Sequence, residues 1–143
     1  MERVYNRFEG FVRENNLKFL AISLGLVYIW FGALKFFPGL SPAEQLAAET
    51  IGVMTFGLIP DQVSLILLAL WEVAVGVLFI SGRFRKLTVW LMLLHMLCTF
   101  TPLLFFPEIS FNDPPYGFSL VGQYIFKNIV LIAAALTLLA NER

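Results

Sequence analysis

Four ionisable side chains stand inside long apolar stretches of this chain: Lys35, Glu72, His95 and Lys127. A charge in hydrocarbon is costly, so residues of this kind are rare, turn toward a protein interior, and mark polar networks, ligand sites or proton routes. A carboxylate supplies acceptors, an ammonium supplies donors, and an imidazole supplies one of each. Together they suit the polar head of a lipophilic small molecule such as a quinone, or the passage of a proton. Helical spacing extends the set. Gly25, Tyr28, Gly32 and Lys35 share one face by steps of three and four, as do Ser64, Leu68, Glu72, Val75 and Gly76 in the next stretch. Thr88, Met92, His95, Thr99 and Pro102 line a third face; in the fourth stretch Gln123 and Lys127 are one turn apart, with Tyr124 and Asn128 beside them.

The expected polar set is therefore Lys35, Glu72, His95, Lys127, Tyr28, Thr99, Gln123 and Asn128. It reads equally as a structural network, with Glu72 held ionised by Lys127 or Lys35 and with His95 and Asn128 completing the hydrogen bonds. Lys35, taken alone near the end of its stretch, fits a lysine snorkelling to the interface. His95 has no second histidine, and Cys98 is the sole cysteine. Haem, metal and paired-thiol chemistry are disfavoured, and no nucleophile with its base or phosphate loop is recognisable.

The elements that must position these residues are four apolar stretches, about 17–37, 63–80, 87–106 and 120–140, in a chain of 143 residues with mean hydropathy +0.80. Each is near the roughly 20 residues that cross a bilayer core of about 30 Å as helix. None alternates polar and apolar residues as a barrel strand does. The expectation is an all-α membrane protein, a single four-transmembrane-helix up-down bundle with an extra amphipathic or re-entrant helix between spans 1 and 2. The segments outside the spans leave no room for a soluble domain.

Charge sets the orientation. Arg3, Arg7, Arg13 and Lys18 precede or open the first span, Arg83, Arg85 and Lys86 fill the turn between the second and third, and Arg143 ends the chain. Segments 38–62 and 107–119 hold no Lys or Arg but do hold Glu44, Glu49, Asp61, Glu108 and Asp113. The positive-inside rule then puts both termini in the cytoplasm, across what would be a bacterial inner membrane. Glu72 and His95 fall near the midplane, Lys127 about a third of the way in from the outer side, and Lys35 near the outer end. A formal net charge of +0 gives no attraction to nucleic acid. The first span is expected to be retained rather than cleaved, since Phe36, Phe37 and Pro38 follow it in place of small residues.

Residues 1–16 space Val4, Tyr5, Phe8, Phe11 and Val12 helically against Arg7, Glu9 and Arg13, which predicts a short amphipathic helix on the cytoplasmic leaflet. Ser41-Pro42-Ala43-Glu44 has the form of a capping box, opening a helix to about Gly57. Residues 107–119, with Pro107, Pro114, Pro115 and Gly117 among aromatics, predict a stiff loop over the outer end.

The run Tyr28-Ile-Trp-Phe-Gly-Ala-Leu-Lys-Phe-Phe-Pro38, followed by Gly39-Leu40-Ser41-Pro42-Ala43-Glu44, resembles the DoxX-like family of small four-span membrane proteins. In that family the first span ends in Trp/Phe-x-Gly-x-x-Lys-Phe, the second carries an acidic residue, and the third ends at a proline; Gly32, Lys35, Phe36, Glu72 and Pro102 take those places here. The resemblance implies a membrane partner of oxidoreductases in sulfur, thiol or quinone metabolism; distant animal relatives look like assembly factors for membrane receptors. This chain departs from the redox members in lacking a cysteine pair and a haem ligand pair.

The expected function is that of an accessory subunit, not an enzyme on its own, binding a lipophilic, quinone-like molecule in a polar pocket of the outer half, linked to redox or oxidative-stress metabolism. Its partners would be the bilayer, that small molecule and a membrane or soluble redox protein. The rival readings are a transporter or proton-coupled channel, and an assembly partner for other membrane proteins. The nearly all-apolar inner halves of the spans argue against conduction through a monomer. Glycines in the first span fit a homo-oligomer and an intrachain helix pair equally.

Overall fold

A computed structural model describes residues 1–142; the side chains of Glu2 and Arg3, and all of Arg143, counted above among the inner-side cations, lie outside the described residues. Seven helices and a two-stranded hairpin follow in order: α1 (Glu2–Leu34), α2 (Glu44–Met54), α3 (Asp61–Ser81), α4 (Arg85–Phe100), α5 (Pro102–Phe105), α6 (Pro107–Ser110), β1 (Phe111–Asp113), β2 (Gly117–Phe118) and α7 (Leu120–Ala140). Four helical stretches, Val4–Leu34, Asp61–Ser81, Arg85–Phe105 and Leu120–Ala140, are long and apolar enough to cross a membrane. Leu26, Trp30, Leu70, Val77, Trp90, Leu97 and Val130 stand exposed along them, an apolar surface suited to lipid rather than water.

α1 lies on α3, α3 on α4, α4 on α7, and α7 against α1. The tightest of these contacts is α1 on α3, and glycine permits it. A Cβ at Gly25 would meet the Gly76 carbonyl oxygen at 2.7 Å, and one at Gly76 would meet the Gly25 oxygen at 2.7 Å. About two turns further along α1, a Cβ at Gly32 would fall 2.8 Å from Cβ of Glu72. Lipid gives no hydrophobic drive for helix association, so close van der Waals packing of this kind and buried polar contacts must hold the pair. The glycines of the first span are thus taken up within the chain.

The apolar core comes from all four long helices: Ala21, Leu24 and Tyr28 of α1, Val75 and Phe79 of α3, Val89, Met92 and Met96 of α4, Ala135 and Leu138 of α7. These fill the half nearer the α3–α4 turn. Gly82 and Phe84 make that turn in left-handed backbone, φ 66° and 56°. Arg85 Nε and Glu142 Oε2, 3.4 Å apart, tie the start of α4 to the end of α7 at the same level.

Five local expectations are corrected. The amphipathic segment is not a separate helix on the leaflet: α1 runs unbroken from Glu2 to Leu34, because nothing in residues 2–34 is proline and Gly10 alone does not stop a helix. The capping box does not form; α2 starts at Glu44 with no side-chain cap, and the Glu44 carboxylate turns back to accept from the Gly39 amide at 2.7 Å. α2 stops at Met54 rather than near Gly57, where Phe56 and Gly57 enter the left-handed region. The 107–119 loop contains α6 and the hairpin, registered Phe111 to Phe118. Phe111 stacks on Phe118 at 4.9 Å, and Phe118 meets Phe126 of α7 at 5.0 Å with the rings tilted, which sets the hairpin against α7. The third span is broken at Pro102, which cannot donate to the helical ladder.

Gly76→Ala should lower the unfolding midpoint in mild detergent, by about 1–3 kcal/mol of stability, since backbone on both sides must move. Gly10→Ala, with nothing within 4 Å of the added carbon, should be neutral or stabilising by up to about 1 kcal/mol.

Candidate functional site

The glycine contact between α1 and α3 decides which groups meet. Gly32 faces Glu72, so the next turn of α1 brings Lys35 alongside, and Lys35 Nζ donates to Glu72 Oε2 at 2.6 Å. Nζ also reaches the Phe31 carbonyl at 3.3 Å, an acceptor left open near the helix end. Both side chains of the pair are 9% exposed. Such a pair is held where its mutual attraction and added hydrogen bonds offset desolvation.

The chain of polar contacts continues into α4. His95 Nε2 stands 3.4 Å from Glu72 Oε1, and the Tyr28 hydroxyl 3.1 Å from His95 Nδ1, with the two rings edge to face at 5.6 Å. With Glu72 as carboxylate, one neutral tautomer suits the arrangement: Nδ1 accepts from Tyr28, and Nε2 carries its proton on the Glu72 side, 3.4 Å away and outside hydrogen-bond geometry. Lys35, Glu72, His95 and Tyr28 therefore form one series, beginning and ending on α1 and passing through α3 and α4. One turn beyond His95, Asn128 Nδ2 of α7 donates to Thr99 Oγ1 at 3.5 Å, and Thr99 donates to the Met96 carbonyl at 2.8 Å.

Of the eight residues expected from the sequence, the structure thus brings Tyr28, Lys35, Glu72 and His95 into one cluster, and Thr99 and Asn128 into a pair beside it. Gln123 and Lys127 are exposed on α7, with Lys127 Nζ 5.7 Å from the Tyr124 ring centroid. The partner of Glu72 is accordingly Lys35 and not Lys127. A lysine side chain leans toward the amino end of its helix, which carries Lys127 along the outside of α7 toward the end where α7 begins. The snorkelling expected of Lys35 is replaced by a buried ion pair, since Glu72 lies within reach and the bilayer surface offers nothing stronger.

Trp71, beside Glu72, was not among the expected polar groups; its indole Nε1 is buried with no hydrogen-bond partner among the described residues. A single apolar-looking residue in an apolar run gives no sequence signal for that. Among the described residues no group of three His, Cys, Asp or Glu could hold a metal ion. Two open hollows, of about 390 Å³ beside Arg85 and about 220 Å³ beside Arg13, lie away from the cluster. No protein-family model, curated protein or solved structure matches the chain.

Removing one member of the ion pair leaves a charge buried alone. Lys35→Met should cost about 3–5 kcal/mol of unfolding free energy, and the double change Lys35→Met/Glu72→Leu should recover most of it. Lys127→Met should stay within about 0.5 kcal/mol of the parent protein.

Proposed function

We propose that this chain is a small accessory membrane protein, placed among the DoxX-like proteins by its first-span sequence, whose intramembrane cluster receives the polar head of a lipophilic small molecule of the quinone class. The observation that carries the reading is the looseness of the cluster on one side. Lys35 and Glu72 close tightly at 2.6 Å, but Glu72 to His95, at 3.4 Å, is a contact without hydrogen-bond geometry, and Asn128 to Thr99, at 3.5 Å, is at the outer limit of a hydrogen bond. A carbonyl or hydroxyl inserted there gains partners without breaking the strong pair. Groups of a binding site often stand this far apart until the ligand draws them together.

In this reading His95 is the group that meets the ligand oxygen, Tyr28 fixes the imidazole by its contact at Nδ1, and Glu72 with Lys35 supplies a fixed dipole behind it. The apolar core below the cluster closes the route toward the α3–α4 turn, which favours binding over conduction. The protein works as the membrane-embedded partner of a separate redox protein, and no covalent step is assigned to its own residues.

The reading includes the up-down bundle across a bacterial inner membrane, with the α3–α4 turn and both termini in the cytoplasm. Its support is the separation of charge: Arg83, Arg85 and Lys86 gather at one end with Glu142, while α2, α6 and the hairpin, without Lys or Arg, cap the other. In a Cys98→Ser background, Ser81→Cys should react with impermeant maleimide only from the cytoplasmic side and Tyr116→Cys only from outside.

The binding test uses the full chain in nanodiscs titrated with a short-chain benzoquinone. His95→Leu, Tyr28→Phe and Glu72→Gln should each weaken binding by roughly tenfold, the worth of a buried hydrogen bond or two, and Lys127→Met should not. Equal affinity across all five proteins would overturn the proposal.

A further inference from the structure

A second site with a different ligand chemistry lies at the opposite end of the bundle. The hollow of about 390 Å³ there is lined by Gly82, Phe84, Arg85, Lys86, Leu87 and Glu142. Three features of this place point the same way. Arg83, Arg85 and Lys86 fall within four residues, so a concentrated positive charge sits at the mouth. The N-cap of α4, Phe84, has a side chain that cannot accept a hydrogen bond, so the first amides of α4 face the same region uncapped. The rim is apolar, with Phe84 64% and Leu87 54% exposed beside the cations.

We infer that this hollow binds the phosphate of an anionic phospholipid, with Arg85 and Lys86 on the phosphate oxygens and an acyl chain laid along Phe84 and Leu87. The amphiphilic lining argues for a lipid over a free phosphate. A soluble anion gains nothing from two exposed apolar side chains, whereas a lipid that leaves bulk bilayer keeps its chain in an apolar setting. The turn sits where α3 ends and α4 begins, at the level of the head groups, and basic clusters at this level recognise anionic lipids.

Glu142 gives the site an internal competitor. Its carboxylate faces Arg85 at 3.4 Å, near enough for charge pairing, yet among the described residues neither Arg85 Nε nor Glu142 Oε2 has a hydrogen-bond partner although both atoms are buried. The pair is an electrostatic contact with its hydrogen-bonding capacity unspent. A phosphate oxygen satisfies Arg85 more fully than the carboxylate does, and its arrival releases Glu142 and with it the tie between α4 and the end of α7. The inference stands apart from the quinone-class reading, since no residue is shared.

The test is native mass spectrometry of the full chain taken from vesicles of phosphatidylglycerol and phosphatidylcholine. The parent protein should retain one phosphatidylglycerol. Arg83→Gln and Lys86→Gln, which leave the Arg85–Glu142 contact intact, should each lower retention by roughly fivefold, the worth of one surface charge near an anionic lipid. Glu142→Gln should raise retention, and Arg13→Gln, an equal charge change on the amino-terminal part of α1, should leave it unchanged. Displacement of the lipid by excess inorganic phosphate would assign the same oxyanion chemistry to a free phosphate. Equal retention of phosphatidylcholine, or retention unaffected by Lys86→Gln and Glu142→Gln, would overturn the site.

Discussion

A carboxylate inside a lipid-facing bundle must find its counter-charge within the protein, and Glu72 finds it in Lys35. Most of the geometry above follows from that requirement. Here the backbones of α1 and α3 run close beside the pair, which meets at 2.6 Å, and that close approach demands that one face of each helix carry no side chain at the crossing. Gly25, Gly32 and Gly76 meet that demand. The interface therefore gains twice, from backbone contact and from neutralised charge, in a solvent that offers no hydrophobic force to replace either. Bulk at any of the three glycines would separate the charges as well as the helices.

The two halves of the bundle consequently differ in kind. Toward the α3–α4 turn the interior is closed by Phe79, Val89, Met92 and Leu138, all essentially inaccessible. Toward the other end it is held by polar contacts of graded tightness, from Lys35 with Glu72 to the slack pair of Asn128 with Thr99. That asymmetry is also why the polar residues occupy adjacent turns: each has to neutralise its neighbour.

The helical stretches were legible because apolar runs of this length have few other solutions, and the interior stripes were legible because period 3.6 places Gly25, Tyr28, Gly32 and Lys35 on one side whatever the partner. What spacing along one helix leaves open is rotation against the next. Lys35 and Lys127 looked equivalent as partners of Glu72, and only the glycine contact, which fixes α1 on α3, separates them. Local motifs misled where tertiary contacts overrode them. Ser41 and Glu44 have capping-box spacing, yet the nearer free amide of Gly39 takes the carboxylate. The hairpin at 111–118 escaped notice because its strands are three and two residues long, below the length at which alternation shows, and contacts distant in sequence, such as Phe118 with Phe126, support it.

The continuity of α1 has a mechanical meaning. At 1.5 Å per residue its 33 residues form a rod of about 50 Å, longer than the hydrocarbon by about 20 Å. The rod touches α3 closely at both Gly25 and Gly32, about two turns apart, so its angle to α3 is set at two points, and the unbroken helix places no hinge between its amino-terminal turns and Lys35.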